Sequence, residues 1–93
     1  MIGSGIKYFR KKNGIQQLVF AKKLKTSQAY LSLIENNKYY PSLELLTKIS
    51  KLLKVPIPVL FWFGMSAEDF KNKEVAKILK PKIDSMILSL LKL

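Results

Sequence analysis

At 93 residues and 48% apolar composition, with 4 Gly and 4 Pro, the chain suits one small folded domain with a modest core and is too hydrophobic for a disordered tail. It has no cysteine, which excludes disulfides, thiolate metal sites and a cysteine nucleophile, and makes the reducing cytoplasm the expected compartment. Its 17 Lys and Arg against 6 Asp and Glu leave a net charge of +11, a field that attracts polyanions.

The charge is uneven. Residues 1–63 hold 11 basic and 2 acidic side chains, and residues 64–93 hold 6 and 4, so the polyanion-facing part is the N-terminal two thirds. The longest near-continuous apolar run, Ile57 to Met65, is broken by Pro58 and Gly64. It falls far short of the roughly 20 residues that span a bilayer. No secretory signal pattern opens the chain, and no membrane partner is expected.

The opening Met1-Ile2-Gly3-Ser4-Gly5 resembles an appended tag, so little rests on it. Ile2, Ile6 and Phe9 share one helical face, and Asn13-Gly14 is a natural stop. A second helix of about two turns begins near Gln17, with Leu18, Ala21 and Leu24 on its inward side and Phe20 beside them, and runs out at Lys25. Ser27 is a good N-cap for a third short helix whose Leu31 and Ile34 face inward. Asn37 can take the left-handed conformation that ends such a helix. Ser42 caps a fourth helix with Glu44 in its first turn and Leu43, Leu46, Ile49, Leu52 and Leu53 as the buried stripe. Val55-Pro56-Ile57-Pro58 turns into a very apolar fifth helix around Leu60 to Phe63. Ser66 and Asp69 have capping-box spacing for a helix through Leu79. Pro81 then either starts a new helix or kinks a continuous one. Beyond it, Ile83, Met86, Ile87, Leu90 and Leu91 form an apolar stripe. No strand alternation and no repeat is present.

Two short helices joined by three or four residues in a small all-α domain are a helix-turn-helix arrangement. From Ile6 to Phe61 the sequence resembles the Cro/C1 phage-repressor type, the XRE family. The matching residues are Arg10, Gln17 to Ala21, Ser27 with Ile34-Glu35-Asn36, Pro41-Ser42-Leu43 and Leu53-Lys54-Val55. The resemblance implies a five-helix, phage-repressor-like helix-turn-helix domain over residues 1–63. Residues 64–93 are then a C-terminal helical extension, expected to dimerise the protein.

The resemblance also implies a site for double-stranded DNA. Gln17 would hold a phosphate at the start of the second helix. Ser27, Gln28, Ala29, Tyr30 and Ser32 would belong to a recognition helix over about Gln28 to Ile34. Gln28 would be the best base reader, since a Gln pairs bidentately with adenine, while Ala29 or the Tyr30 ring can meet a thymine methyl. Asn36 and Lys38, with Tyr39 or Tyr40, would lie along the phosphates. Tyr30 could instead pack on the core margin. Leu33 departs from the polar or long residue many relatives carry, and so either reads a methyl group or touches nothing; Asn37 replaces the usual Gly. Arg10 and Glu35 match a partly buried ion pair and are read as structural.

Catalysis finds no support. There is no His, the six carboxylates lack ligand spacing, and the serines sit at caps and helix faces. No catalytic residue, metal or cofactor is expected. The expected function is a dimeric, sequence-specific transcriptional regulator, a repressor of phage, mobile-element or restriction-system type. The alternative is an antitoxin or similar interaction module whose C-terminal apolar helix grips a partner protein. The operator, the sign of regulation and any small-molecule effector are not legible.

Overall fold

The computed structural model describes residues 1–92, and among them six α-helices, one 3-10 turn and no strand. The helices are α1 (Ile2–Lys12), α2 (Gln17–Lys23), α3 (Gln28–Glu35), α4 (Leu43–Leu53), α5 (Ile57–Gly64) and α6 (Lys73–Leu90). None is long and apolar enough to cross a membrane.

The first helix organises the core. Ile2, Ile6 and Phe9 are buried as their spacing predicts, and α1 packs on α3, α4 and α5. The opening residues are therefore part of the packed fold. A Cβ on Gly3 would collide with the carbonyl oxygen of Ile34 at the end of α3, and one on Gly5 with the carbonyl oxygen of Leu60 in α5. Glycine inside a helix costs about 0.5–1 kcal/mol relative to alanine. Here it lets α1 lie backbone to backbone between two other helices.

Two inward stripes need correction. In α2 the buried face is Phe20, Ala21 and Leu24, while Leu18 is 46% exposed. At 3.6 residues per turn Leu18 lies about a third of a turn from the centre of that face, and Gln17 lies on it. In α4, Leu46, Ile49 and Leu53 are buried, but Leu43 is 74% and Leu52 41% exposed. Leu43 stands in the first turn beyond the core's edge, and Leu45 takes a half-buried place against the core instead. Of the apolar fifth helix only Leu60 is fully buried, and Phe63 packs between Tyr8 and Phe9.

The first four helices end alike, with a left-handed residue at Gly14, Lys25, Asn37 and Lys54. Each time the N–H after that residue bonds five positions back: Ile15 to Arg10, Thr26 to Ala21, Lys38 to Leu33 and Val55 to Ser50. Glycine and asparagine advertise this conformation; lysine does not, so the stops at Lys25 and Lys54 carry no local signal.

The C-terminal segment differs from the helix expected through Leu79. Ser66 and Asp69 do form a capping box, with Ser66 N–H donating to Asp69 Oδ2 at 2.8 Å, but it closes only the 3-10 turn Ala67–Asp69. Phe70 is then extended and sets its ring edge-on to Trp62. The long helix starts at Asn72, whose side chain accepts from Val75 N–H, and runs unbroken through Pro81. Proline removes the bond its N–H would donate and its ring crowds the carbonyl of Lys77, yet the helix continues on both sides of it. Trp62 Nε1 donates to Asp84 at 2.5 Å, and Lys80, also paired with Asp84, lies over the Trp62 and Phe63 rings. Leu88 and Leu91 fold back on the core. The opposite side of α6 stays open: Ile78 is 62%, Met86 58% and Leu90 77% exposed.

Gly5→Ala is expected to lower stability by about 1–3 kcal/mol through overpacking, measured by urea unfolding. A gain of about 0.5–1 kcal/mol, the propensity effect alone, would show that α1 and α5 are not in backbone contact.

Candidate nucleic-acid interface

The turn between α2 and α3 spans Leu24 to Ser27 and sets the two helices against each other. Ser27 is extended and its Oγ accepts from Tyr30 N–H at 3.0 Å, which caps α3 as its sequence position predicts. Leu31 and Ile34 are fully buried, and Glu35 is 2% exposed. These three fix the inner side of α3. Gln28, Ala29, Tyr30 and Leu33 are consequently turned out to solvent, with Ser32 half-buried at the margin.

Beneath α3 lies a charged centre. Arg10 donates twice to Glu35, Nε to Oε2 at 2.7 Å and Nη2 to Oε1 at 3.0 Å, and its Nη1 donates to the Ile15 carbonyl at 2.8 Å. The pair expected from the sequence is thus bidentate and buried, with Arg10 only 6% exposed. Gln17 Nε2 also donates to Glu35 Oε1, at 3.1 Å, and Gln28 Nε2 donates to Gln17 Oε1 at 3.3 Å.

The polarity of this series follows from its buried end. A carboxylate only accepts, so Gln17 must turn its NH₂ to Glu35 and its carbonyl outward. Gln28 then meets that carbonyl with its own NH₂, keeping one N–H and its carbonyl oxygen free. The amide orientation of the most exposed member is set by the ion pair below it.

The remaining sequence-selected residues fall around α3. Asn36 is exposed and donates to Ser32 Oγ at 3.3 Å, so these two side chains are partners. Lys38 is exposed, as are Lys22, Lys23 and Lys25 at the end of α2. Tyr30, 37% exposed, neither packs into the core nor stands alone: its ring faces that of Tyr39 at 6.2 Å. Tyr40 is 64% exposed. Asn37 is left-handed as expected and also donates to Ser4 Oγ, tying the end of α3 to α1. Sequence spacing could have paired Gln17 with Gln28 only through knowledge of which side of α2 is buried. Among the described residues no group of three His, Cys, Asp or Glu is placed to hold a metal ion.

The Helix-turn-helix family matches residues 6–60. The chain is 41% identical over 59 residues to the ImmF control region 10 kDa protein of Bacillus phage phi105, covering 63% of this chain and 66% of that protein. It is 39% identical over 61 residues to the HTH-type transcriptional regulator SinR of Bacillus subtilis (strain 168), covering 64% of this chain and 55% of SinR. The match thus spans about two thirds and just over half of these relatives' lengths. Among solved structures, the chain is similar to the biofilm master regulator SinR in complex with DNA, at a TM-score of 0.61 and 39% identity over 66% of this chain and 98% of that one. It is also similar to a chain of a SinR protein/SinI protein complex, at a TM-score of 0.63 and 32% identity over 91% of this chain and 81% of that one.

Removing one partner of the buried pair, as in Arg10→Met, is expected to cost about 3–5 kcal/mol in urea unfolding. Arg10→Met combined with Glu35→Leu should restore most of that loss, because no charge is left buried alone. A single variant as stable as the native protein would show that the pair is hydrated.

Proposed function

The chain belongs to the Cro/C1-type helix-turn-helix family, and on that basis we propose that it is a sequence-specific DNA-binding transcriptional regulator, a homodimeric repressor acting in the cytoplasm. Residues 1–63 bind DNA with α3 in the major groove, and residues 64–93 join two copies.

The observation that carries this reading is the oriented amide of Gln28 on an exposed, capped, eight-residue helix. Its free N–H and carbonyl oxygen match the N7 acceptor and N6 donor of adenine. Gln17 holds Gln28 in place and keeps a second N–H for a phosphate. Ala29 and Tyr30 supply apolar contact, Ser32 reaches the margin of the groove, and Ser27 holds the first turn. Asn36 and Lys38, with Lys22, Lys23 and Lys25 on the other flank, follow the phosphate strands. Only two carboxylates occur in residues 1–63, and one of them, Glu35, is neutralised by Arg10.

Dimerisation is supported by the uncovered side of α6. Val75, Ile78, Leu79, Met86 and Leu90 lie on one side of the helix, away from Leu88 and Leu91, and all five are exposed. A two-fold contact there would set two recognition helices against half-sites about one helical turn apart. A second reading, in which this region grips a different protein, is favoured by the likeness to the SinR protein/SinI protein complex. It is also favoured by an apolar groove of about 260 Å³ between Trp62, Phe70 and α6.

Selection of bound sites from random duplexes tests the function, and inverted half-sites with a steep salt dependence are the expected outcome. Gln28→Ala should cost about 1–3 kcal/mol and relax preference at one base pair. An equal loss on every sequence would show that Gln28 does not read bases. Ile78→Glu with Leu90→Glu should give a folded monomer in sedimentation, with operator affinity reduced roughly 100-fold. A dimer that persists places the interface elsewhere.

A further inference from the structure

The outward side of α3 is mostly hydrocarbon. Ala29 and Leu33, one turn apart, stand opposite the buried Leu31, Ile34 and Glu35, and Leu33 is 39% exposed. Gln28 and Ser32 occupy only one flank of this strip, and the Tyr30 ring, held against Tyr39, closes the other. A single exposed leucine on a protein surface needs no explanation. This one lies at the centre of the side that faces the groove in the reading above, on which the inference rests.

We infer that Leu33 is a specificity-determining residue that reads the C5-methyl group of a thymine, with Ala29 as the adjoining wall. Leucine can neither donate nor accept a hydrogen bond, and the pyrimidine methyl is the apolar group on the major-groove edge of a base pair. A polar edge placed against Leu33 would lose its water without gaining a partner, so the same side chain also selects against such bases. Charge argues for DNA rather than a second copy of the protein at this strip. Lys25 precedes α3, Lys38 follows it, and both are exposed, so two such faces brought together would repel. The half-site is therefore expected to combine an adenine at Gln28 with a thymine methyl at Leu33.

The test uses the full chain on duplexes selected from a random pool, with each thymine replaced in turn by deoxyuridine, which removes only the methyl. The native protein should lose affinity roughly 3- to 10-fold at one thymine in each half-site. Leu33→Ala should bind the thymine and uracil duplexes equally at that position, and Leu33→Met, which keeps an apolar reach, should retain the penalty. Thermal unfolding midpoints equal to the native value verify that both variants fold. No uracil penalty in the native protein, or the same penalty in Leu33→Ala, overturns the assignment while leaving DNA binding intact. A pool that yields no enriched sequence overturns both.

Discussion

The buried contact between Arg10 and Glu35 constrains three helices at once. Arg10 reaches from α1 to the carboxylate of α3, and its remaining contact goes to the Ile15 carbonyl just before α2. Taking both charges out of water is costly, and the cost is offset because each oxygen and the guanidinium's inward N–H groups find partners. The same carboxylate accepts from Gln17, and Gln17 accepts from Gln28. A structural ion pair thus extends its directionality to the surface. Gln28 is oriented by a group that never meets solvent, which lowers the entropy lost when its amide engages a planar partner.

Short helices need firm ends, and both ends of α3 are supplied by side-chain and backbone chemistry. Ser27 closes its start, and the left-handed Asn37 closes its finish while holding Ser4 of α1. The inner side is set by Leu31 and Ile34. What remains turned outward is a strip only two turns long, flanked by lysines. The close backbone approach at Gly3 brings α1 against this same helix end, so α3 sits on the core rather than on a mobile loop.

Two surfaces of the molecule present different chemistry. Around α3 an apolar strip is bordered by positive charge, which suits a partner that is itself anionic and carries methyl groups. Along α6 the open side is apolar except for the exposed Lys82, while Lys80 and Asp84 pair on the inward side against Trp62. The bond from Trp62 to Asp84 and the packing of Leu88 and Leu91 hold α6 to the body of the domain, so this side is presented in a fixed direction.

Local chemistry made the five-helix domain legible: the spacing of Ile2, Ile6 and Phe9, the caps at Ser27 and Ser42, and the stop at Asn37 all act within one or two turns. So did the identity of α3 as a short exposed helix and the pairing of Arg10 with Glu35, which the family resemblance implied. Errors arose where two apolar residues competed for one face. Leu18, Leu43 and Leu52 fit a stripe as well as their neighbours do, and only the placement of α1 and α5 leaves them in solvent. Ser66 and Asp69 formed their box, yet the extended Phe70 ended the turn in order to meet Trp62. The sequence by itself determined the element order, the basic surface and the presence of a short capped helix at α3, because propensity, capping and charge are properties of neighbours along the chain. The tertiary structure alone decided which way the Gln17 and Gln28 amides turn and which side of α6 stays open. Those depend on Glu35, 18 residues from Gln17, and on a core assembled from every helix, and no local pattern contains that information.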